Sequence, residues 1–88
     1  MLTKEIVIRN KMGFHARPSA LLAQIANKFN SNITIEKDGI KGNAKRISDI
    51  MFNMVMQYND RIKIYVEGED EAEAMLEVAS CIEALEDE

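Results

Sequence analysis

The run Arg61-Ile62-Lys63-Ile64-Tyr65-Val66-Glu67 alternates polar and apolar side chains without a break. Successive side chains of a strand point to opposite faces, so this run has one face to bury and one to wet. A strand of that kind must pair with other strands and be covered on one side only. Partners are easily found. Residues 3–9 read as a strand with Ile6 and Ile8 facing one way, although Val7 blurs the alternation. Ile33-Thr34-Ile35-Glu36 alternates again, Lys37-Asp38-Gly39 turns a hairpin with Asp-Gly at its tip, and Ile40-Lys41-Gly42 returns as a short edge strand.

The cover comes from segments with helical spacing. Ala16, Ala20, Leu22, Ile25, Ala26 and Phe29 predict a first helix that ends near Asn30-Ser31-Asn32. Ile47, Ile50, Met51, Met54 and Val55 predict a second over residues 47–56, with Ser48 as its cap and Asp49 near its positive end. Tyr58-Asn59-Asp60 breaks it. Asp70 opens a third helix, with Glu73 completing a capping box. Its core stripe is Ala72, Met75, Val78, Ala79, Ile82 and Leu85, and Cys81 lies on the same stripe as a buried, inert thiol. The order β-α-β-β-α-β-α predicts an α+β fold. It is an open-faced β-sandwich, a four-stranded, mainly antiparallel sheet with three helices on one face.

Eighty-eight residues suffice for one domain, spanning 1–88, with a modest core. A net charge of −4 argues against general affinity for nucleic acid or anionic membranes. That charge is uneven: every Lys and Arg lies within the first 66 residues, which are net positive, while the last 22 are strongly acidic. One cysteine and one histidine exclude an intrachain disulfide and a Cys/His zinc site, so no metal is expected. The N-terminus MLTKEIVIRN turns charged at once, without the apolar run of a signal peptide or a membrane span. The expectation is a small cytoplasmic protein that neither inserts in membranes nor binds nucleic acid.

The chemistry concentrates in Gly13-Phe14-His15-Ala16-Arg17-Pro18-Ser19-Ala20. A turn glycine precedes the lone histidine and a helical pattern follows it. Pro18 lacks a backbone N–H and is best tolerated in a first helical turn. The N–H groups of that turn, near Ala16 and Pro18, and the positive end of the helix dipole suit an anion. Arg17 adds a guanidinium fork. Imidazole has an ordinary pKa of about 6.5, so its neutral, nucleophilic form is abundant at neutral pH. A neutral imidazole beside an anion site is suited to receive, hold and pass on a phosphoryl group. Ser19 reads as a simple first-turn residue.

Gly13-Phe14-His15-Ala16-Arg17-Pro18 resembles the phosphohistidine motif of HPr, the histidine-containing phosphocarrier family of the bacterial phosphoenolpyruvate-dependent sugar phosphotransferase system. The resemblance extends to Phe29, Asp38-Gly39, Gly42-Asn43-Ala44-Lys45 and Glu67-Gly68-Glu69-Asp70-Glu71-Ala72-Glu73-Ala74, and so covers nearly the whole chain. It implies a relay without a cofactor, in which the chain is a carrier and not an enzyme. Phospho-enzyme I donates a phosphoryl group to Nδ1 of His15, with Arg17 stabilising it, and sugar-specific acceptor proteins take it on. A carrier that visits several partners is most simply a monomer. A regulatory module that docks on target proteins is the alternative, and its specialised members can lack the histidine.

The chain also departs from that pattern. Many Gram-positive members carry a kinase-target serine at the start of the second helix, where this chain has Arg46. Ser48 is a weak candidate for a displaced site. The stretch Met54-Val55-Met56-Gln57-Tyr58-Asn59-Asp60 is about one residue longer than usual and lacks the family's glycine. Ile50 and Met54 are expected to face inward, while Ile47, Met51 and Phe52 are candidates for partner docking.

Overall fold

A computed structural model describes residues 1–13 and 16–84 of the chain. Four strands form one sheet: β1 (Leu2–Val7), β2 (Asn32–Lys37), β3 (Ile40–Asn43) and β4 (Arg61–Glu67). Their order is β1-β4-β2-β3 and all three pairings are antiparallel. Helix α1 (Ala16–Ala26), a π-helical turn (Asp49–Asn53) and helix α2 (Glu71–Glu83) lie on one face. The α+β open-faced sandwich expected from the alternating strands is what the chain adopts.

Period-two burial defines the covered side. Ile62, Ile64 and Val66 of β4 meet Ile33 and Ile35 of β2 and Ile6 of β1 under Leu22, Ala26, Met75 and Val78. The other face is polar. Glu5, Lys63, Glu36 and Lys41 are successive cross-strand partners, so charges of alternating sign run across all four strands. At the hairpin tip Asp38 and Gly39 both take left-handed φ, of 52° and 84°, as a two-residue turn requires.

The helices depart from expectation where long-range partners intervene. α1 ends at Ala26, earlier than its apolar spacing suggests. The following N–H groups shift to shorter bonds, Lys28 to Ile25 and Phe29 to Ala26, and the Asn27 side chain donates to the Ala23 carbonyl. Phe29 is nonetheless buried. The buried face of α1 is Pro18, Ser19, Leu22, Ala23 and Ala26, whereas Ala16 is exposed. In α2 the buried set includes Ala74 and Cys81 while Ala72 is exposed, and Leu85 lies outside the described residues. Burial pushes the Cys81 thiol above its ordinary pKa.

The second helical segment begins at Ile47 as expected but stops at Asn53, short of the expected Met56. Asp49–Asn53 form a single π turn, closed by the Met54 N–H donating to the Asp49 carbonyl at 2.9 Å. Beyond it the chain is extended: Met54 and Met56 are buried, and Val55 between them is half exposed. Ser48 is not a cap. Its backbone is already helical (φ −63°, ψ −37°) and its hydroxyl makes no capping bond. The Asp49 carboxylate instead accepts the Asn43 N–H and the Asn53 amide, which ties the turn to β3.

The capping box at Asp70 and Glu73 does not form either. Asp70 accepts the backbone N–H groups of Asn30 and Ser31, each at 2.9 Å, and the Ser31 hydroxyl. It clasps the α1–β2 connection rather than its own helix. Glu71 accepts the Gly68 N–H in place of Glu73 and also pairs with the chain's terminal amine at 3.2 Å.

The Ser31 hydroxyl, followed by the Asn30 N–H, holds the Asp70 carboxyl below the ordinary carboxylate pKa. A depressed folded pKa contributes stability above the unfolded value of about 3.9, and that stability fades as pH falls through the folded value. Asp70→Asn should therefore unfold at lower urea than the wild type at pH 7, with the two midpoints converging below about pH 4. A gap that stays constant with pH would mean that the Asp70 charge does not matter.

Candidate functional site

Antiparallel pairing sets Val7, the last residue of β1, opposite Arg61, the first residue of β4. The segment leaving β1 thus runs beside the segment entering β4. The ladder continues past the strands: the Ile8 N–H donates to the Asp60 carbonyl at 2.8 Å, and the Asn59 N–H to the Ile8 carbonyl at 2.7 Å. The chain then folds into the turn that leads to α1.

Asn10 organises that turn from inside. It is only 2% exposed, and its Oδ1 accepts the Met12 N–H at 3.0 Å while its carbonyl accepts the Gly13 N–H at 2.9 Å. An asparagine side chain bonding two residues ahead mimics a backbone turn. Its Nδ2 is buried and has no acceptor among the described residues. Gly13 follows with φ of 69°, a left-handed conformation that a side chain resists. A Cβ at Gly13 would stand 2.7 Å from the Met56 carbonyl oxygen and 3.1 Å from Gln57 Cα. Glycine is required twice over, for the conformation and for the close approach.

His15 and Phe14 lie outside the described residues. The chain resumes at Ala16, the first residue of α1. Arg17 is exposed on the first turn, and Pro18 is buried against the core, where its missing N–H withholds nothing from the helix. The first turn of this eleven-residue helix points its positive dipole end back along the chain toward Gly13. Ser19 is fully buried, which its reading as a plain first-turn residue did not anticipate.

The π turn contacts α1 and brings up the other residues of interest. Ile50 and Met54 are buried, Met51 is half-buried, and Ile47 and Phe52 are exposed at 41% and 73%. Arg46 and Ser48 are exposed as well. Near the site, Met12 at 73% and Leu21 at 45% add apolar surface that the sequence did not single out. Leu21 is hidden in the sequence beside buried Leu22, and only the phase of the helix separates them. Among the described residues, no group of His, Cys, Asp and Glu is arranged to hold a metal ion, and no helix is long and apolar enough to cross a membrane.

The chain is thus an open-faced sandwich whose first helix starts behind a glycine turn, with Arg17 and Pro18 in its opening turn. The family model for the phosphotransferase-system HPr component phosphorylation site matches residues 2–84. The chain belongs to the HPr family.

Relatives include the HPr-like protein Crh of Halalkalibacterium halodurans, 43% identical over 94% of this chain and 98% of its own length. The phosphocarrier protein HPr of Mycoplasma genitalium is 38% identical over 90% of each chain. Among solved structures, HPr of Thermoanaerobacter tengcongensis superposes with a TM-score of 0.92 at 42% identity, covering 100% of this chain and 98% of that one. Crh of Bacillus subtilis, described as a domain-swapped dimer, gives 0.76 at 37% identity, covering 96% and 95%.

Gly13→Ala tests the turn. It forces a side chain into a left-handed conformation and against a backbone carbonyl, and should destabilise the fold by about 2–4 kcal/mol in urea unfolding. A loss below about 1 kcal/mol would show that the Gly13 turn and the Met56 backbone separate without cost.

Proposed function

We propose that this chain is a phosphocarrier that accepts a phosphoryl group on Nδ1 of His15 from phospho-enzyme I and delivers it to sugar-specific acceptor proteins. What carries the reading is the start of α1 at Ala16, immediately after His15, with Arg17 exposed on its first turn. Phosphoryl transfer needs little from a protein except position and charge stabilisation of the equatorial oxygens. The helix head supplies oriented N–H groups near Ala16 and Pro18, and Arg17 supplies a positive charge. The P–N bond formed on the imidazole is the bond broken when the group moves on, so the histidine is regenerated neutral.

Ile47, Met51 and Phe52 form the docking edge, with apolar surface adapted to several partners. Arg46 stands where a kinase-target serine would be, so serine control at that position is absent, and Ser48 is a weak substitute. The whole of residues 1–88 acts as one HPr-like unit, a monomer of the cytoplasm. Light scattering in solution checks the monomer, since relatives of this fold have been seen as dimers. A regulatory module that works only by docking is the second reading, favoured by the likeness to an HPr-like protein named Crh. The presence of His15, Arg17 and Pro18 together weighs toward the carrier.

Incubation with phosphoenolpyruvate and enzyme I should add one acid-labile phosphoryl group by mass spectrometry, and His15→Ala should abolish it. Label that persists in that variant would remove His15 from the role. Arg17→Ala should slow transfer by about tenfold, equivalent to about 1.4 kcal/mol, and leave the melting temperature within about 2 °C of the wild type. Unchanged transfer rates in both directions would take Arg17 out of the mechanism.

A further inference from the structure

The connection between the π turn and β4 is pinned from a distance by one lysine. Lys37, the last residue of β2, donates from Nζ to the Val55 carbonyl at 2.6 Å and pairs with the Asp60 carboxylate at 2.7 Å. Those contacts hold both ends of the segment 55–60. The same Asp60 carboxylate accepts the Gln57 N–H at 2.7 Å, and the Asp60 N–H returns to the Gln57 carbonyl at 3.0 Å. Asn59, at φ of 71°, completes the tight turn between them. Both charged side chains are largely shielded, at 20% and 25% exposure, and Lys37 keeps the Asp60 carboxyl below the ordinary range.

This pinned segment is the floor beneath the turn that leads to His15. Met56 is anchored in the core by a side chain 1% exposed, and its carbonyl oxygen is what Gly13 lies against. Asn59 and Asp60 carry the two backbone bonds that hold Ile8. The stretch 8–13 therefore leans on the segment at two points, Ile8 and Gly13, and a shift of the floor shifts both.

We propose that Lys37 and Asp60 are positioning residues for phosphoryl acceptance, acting through the segment 55–60 on the turn that sets where α1 and His15 begin. Neither side chain belongs to the helix head that receives the anion. Their part is to fix the geometry on which in-line transfer depends, and small misplacements of a reacting group slow transfer out of proportion to their size. This rests on the reading of His15 as the phosphoryl acceptor.

Rapid-quench measurement of transfer from phospho-enzyme I tests it with Lys37→Met, Lys37→Arg and Asp60→Asn, each assayed about 20 °C below its own melting temperature. Lys37→Met and Asp60→Asn should lower kcat about three- to tenfold with KM held within about twofold. Lys37→Arg, which can still span Val55 and Asp60, should recover at least about half of the wild-type kcat. Wild-type kcat in the folded Met and Asn variants would overturn the proposal, as would a change confined to KM. Wild-type protein that takes no phosphoryl group on His15 would instead overturn the carrier reading itself.

Discussion

Everything in this molecule hangs on the one-sided burial of β4. Its inward residues Ile62, Ile64 and Val66 are at most 1% exposed, and both of its edges are paired, to β1 and to β2. Shifting such a strand by one residue would bury Arg61, Lys63 and Tyr65 and expose the isoleucines, so its register is strongly specified. Once it is set, antiparallel pairing brings the end of β1 to the start of β4. The two segments beyond those ends must then run side by side. One leads to His15 and the other descends from the π turn. The site's neighbourhood is thus a consequence of sheet order.

The methionine-rich stretch shows how a local pattern is overruled. Ile47, Ile50, Met51, Met54 and Val55 fit a helix, yet the helical part stops at Asn53 and Met54, Val55 and Met56 alternate in burial as an extended chain does. Over three residues an apolar run fits either period, and sequence alone has no means of choosing. The choice is made by partners far away. Lys37 captures the Val55 carbonyl and Asp60 across a separation of about twenty residues, and Asp49 is drawn to the Asn43 N–H. Ser48, left without a capping role, projects into solvent.

The acidic residues at the start of α2 repeat the point. Asp70 and Glu73 have the spacing of a capping box, a local device, but three donors of the α1–β2 connection offer Asp70 a better-satisfied position. Glu71, which the capping-box pattern does not mark, takes the Gly68 N–H. Such exchanges leave the helix where the apolar period put it and change only what holds its end. The fold survives errors of this kind because the hydrophobic pattern, and not the caps, carries most of the stabilisation.

From the sequence alone come the four strands, the hairpin at Asp38-Gly39, the one-sided cover, the Gly13 turn and the first-turn place of Pro18. Each depends on spacing within a few residues, and the last two follow from covalent structure: the missing Cβ of Gly13 and the missing N–H of Pro18. Tertiary structure alone decided which apolar residues of the second helical segment stay exposed, where that segment ends, and what supports the turn beneath α1. Those outcomes turn on the hydrogen bond from Lys37 to the Val55 carbonyl and on the close packing of Gly13 against the Met56 backbone. Such residues become neighbours only after the sheet has closed around β4.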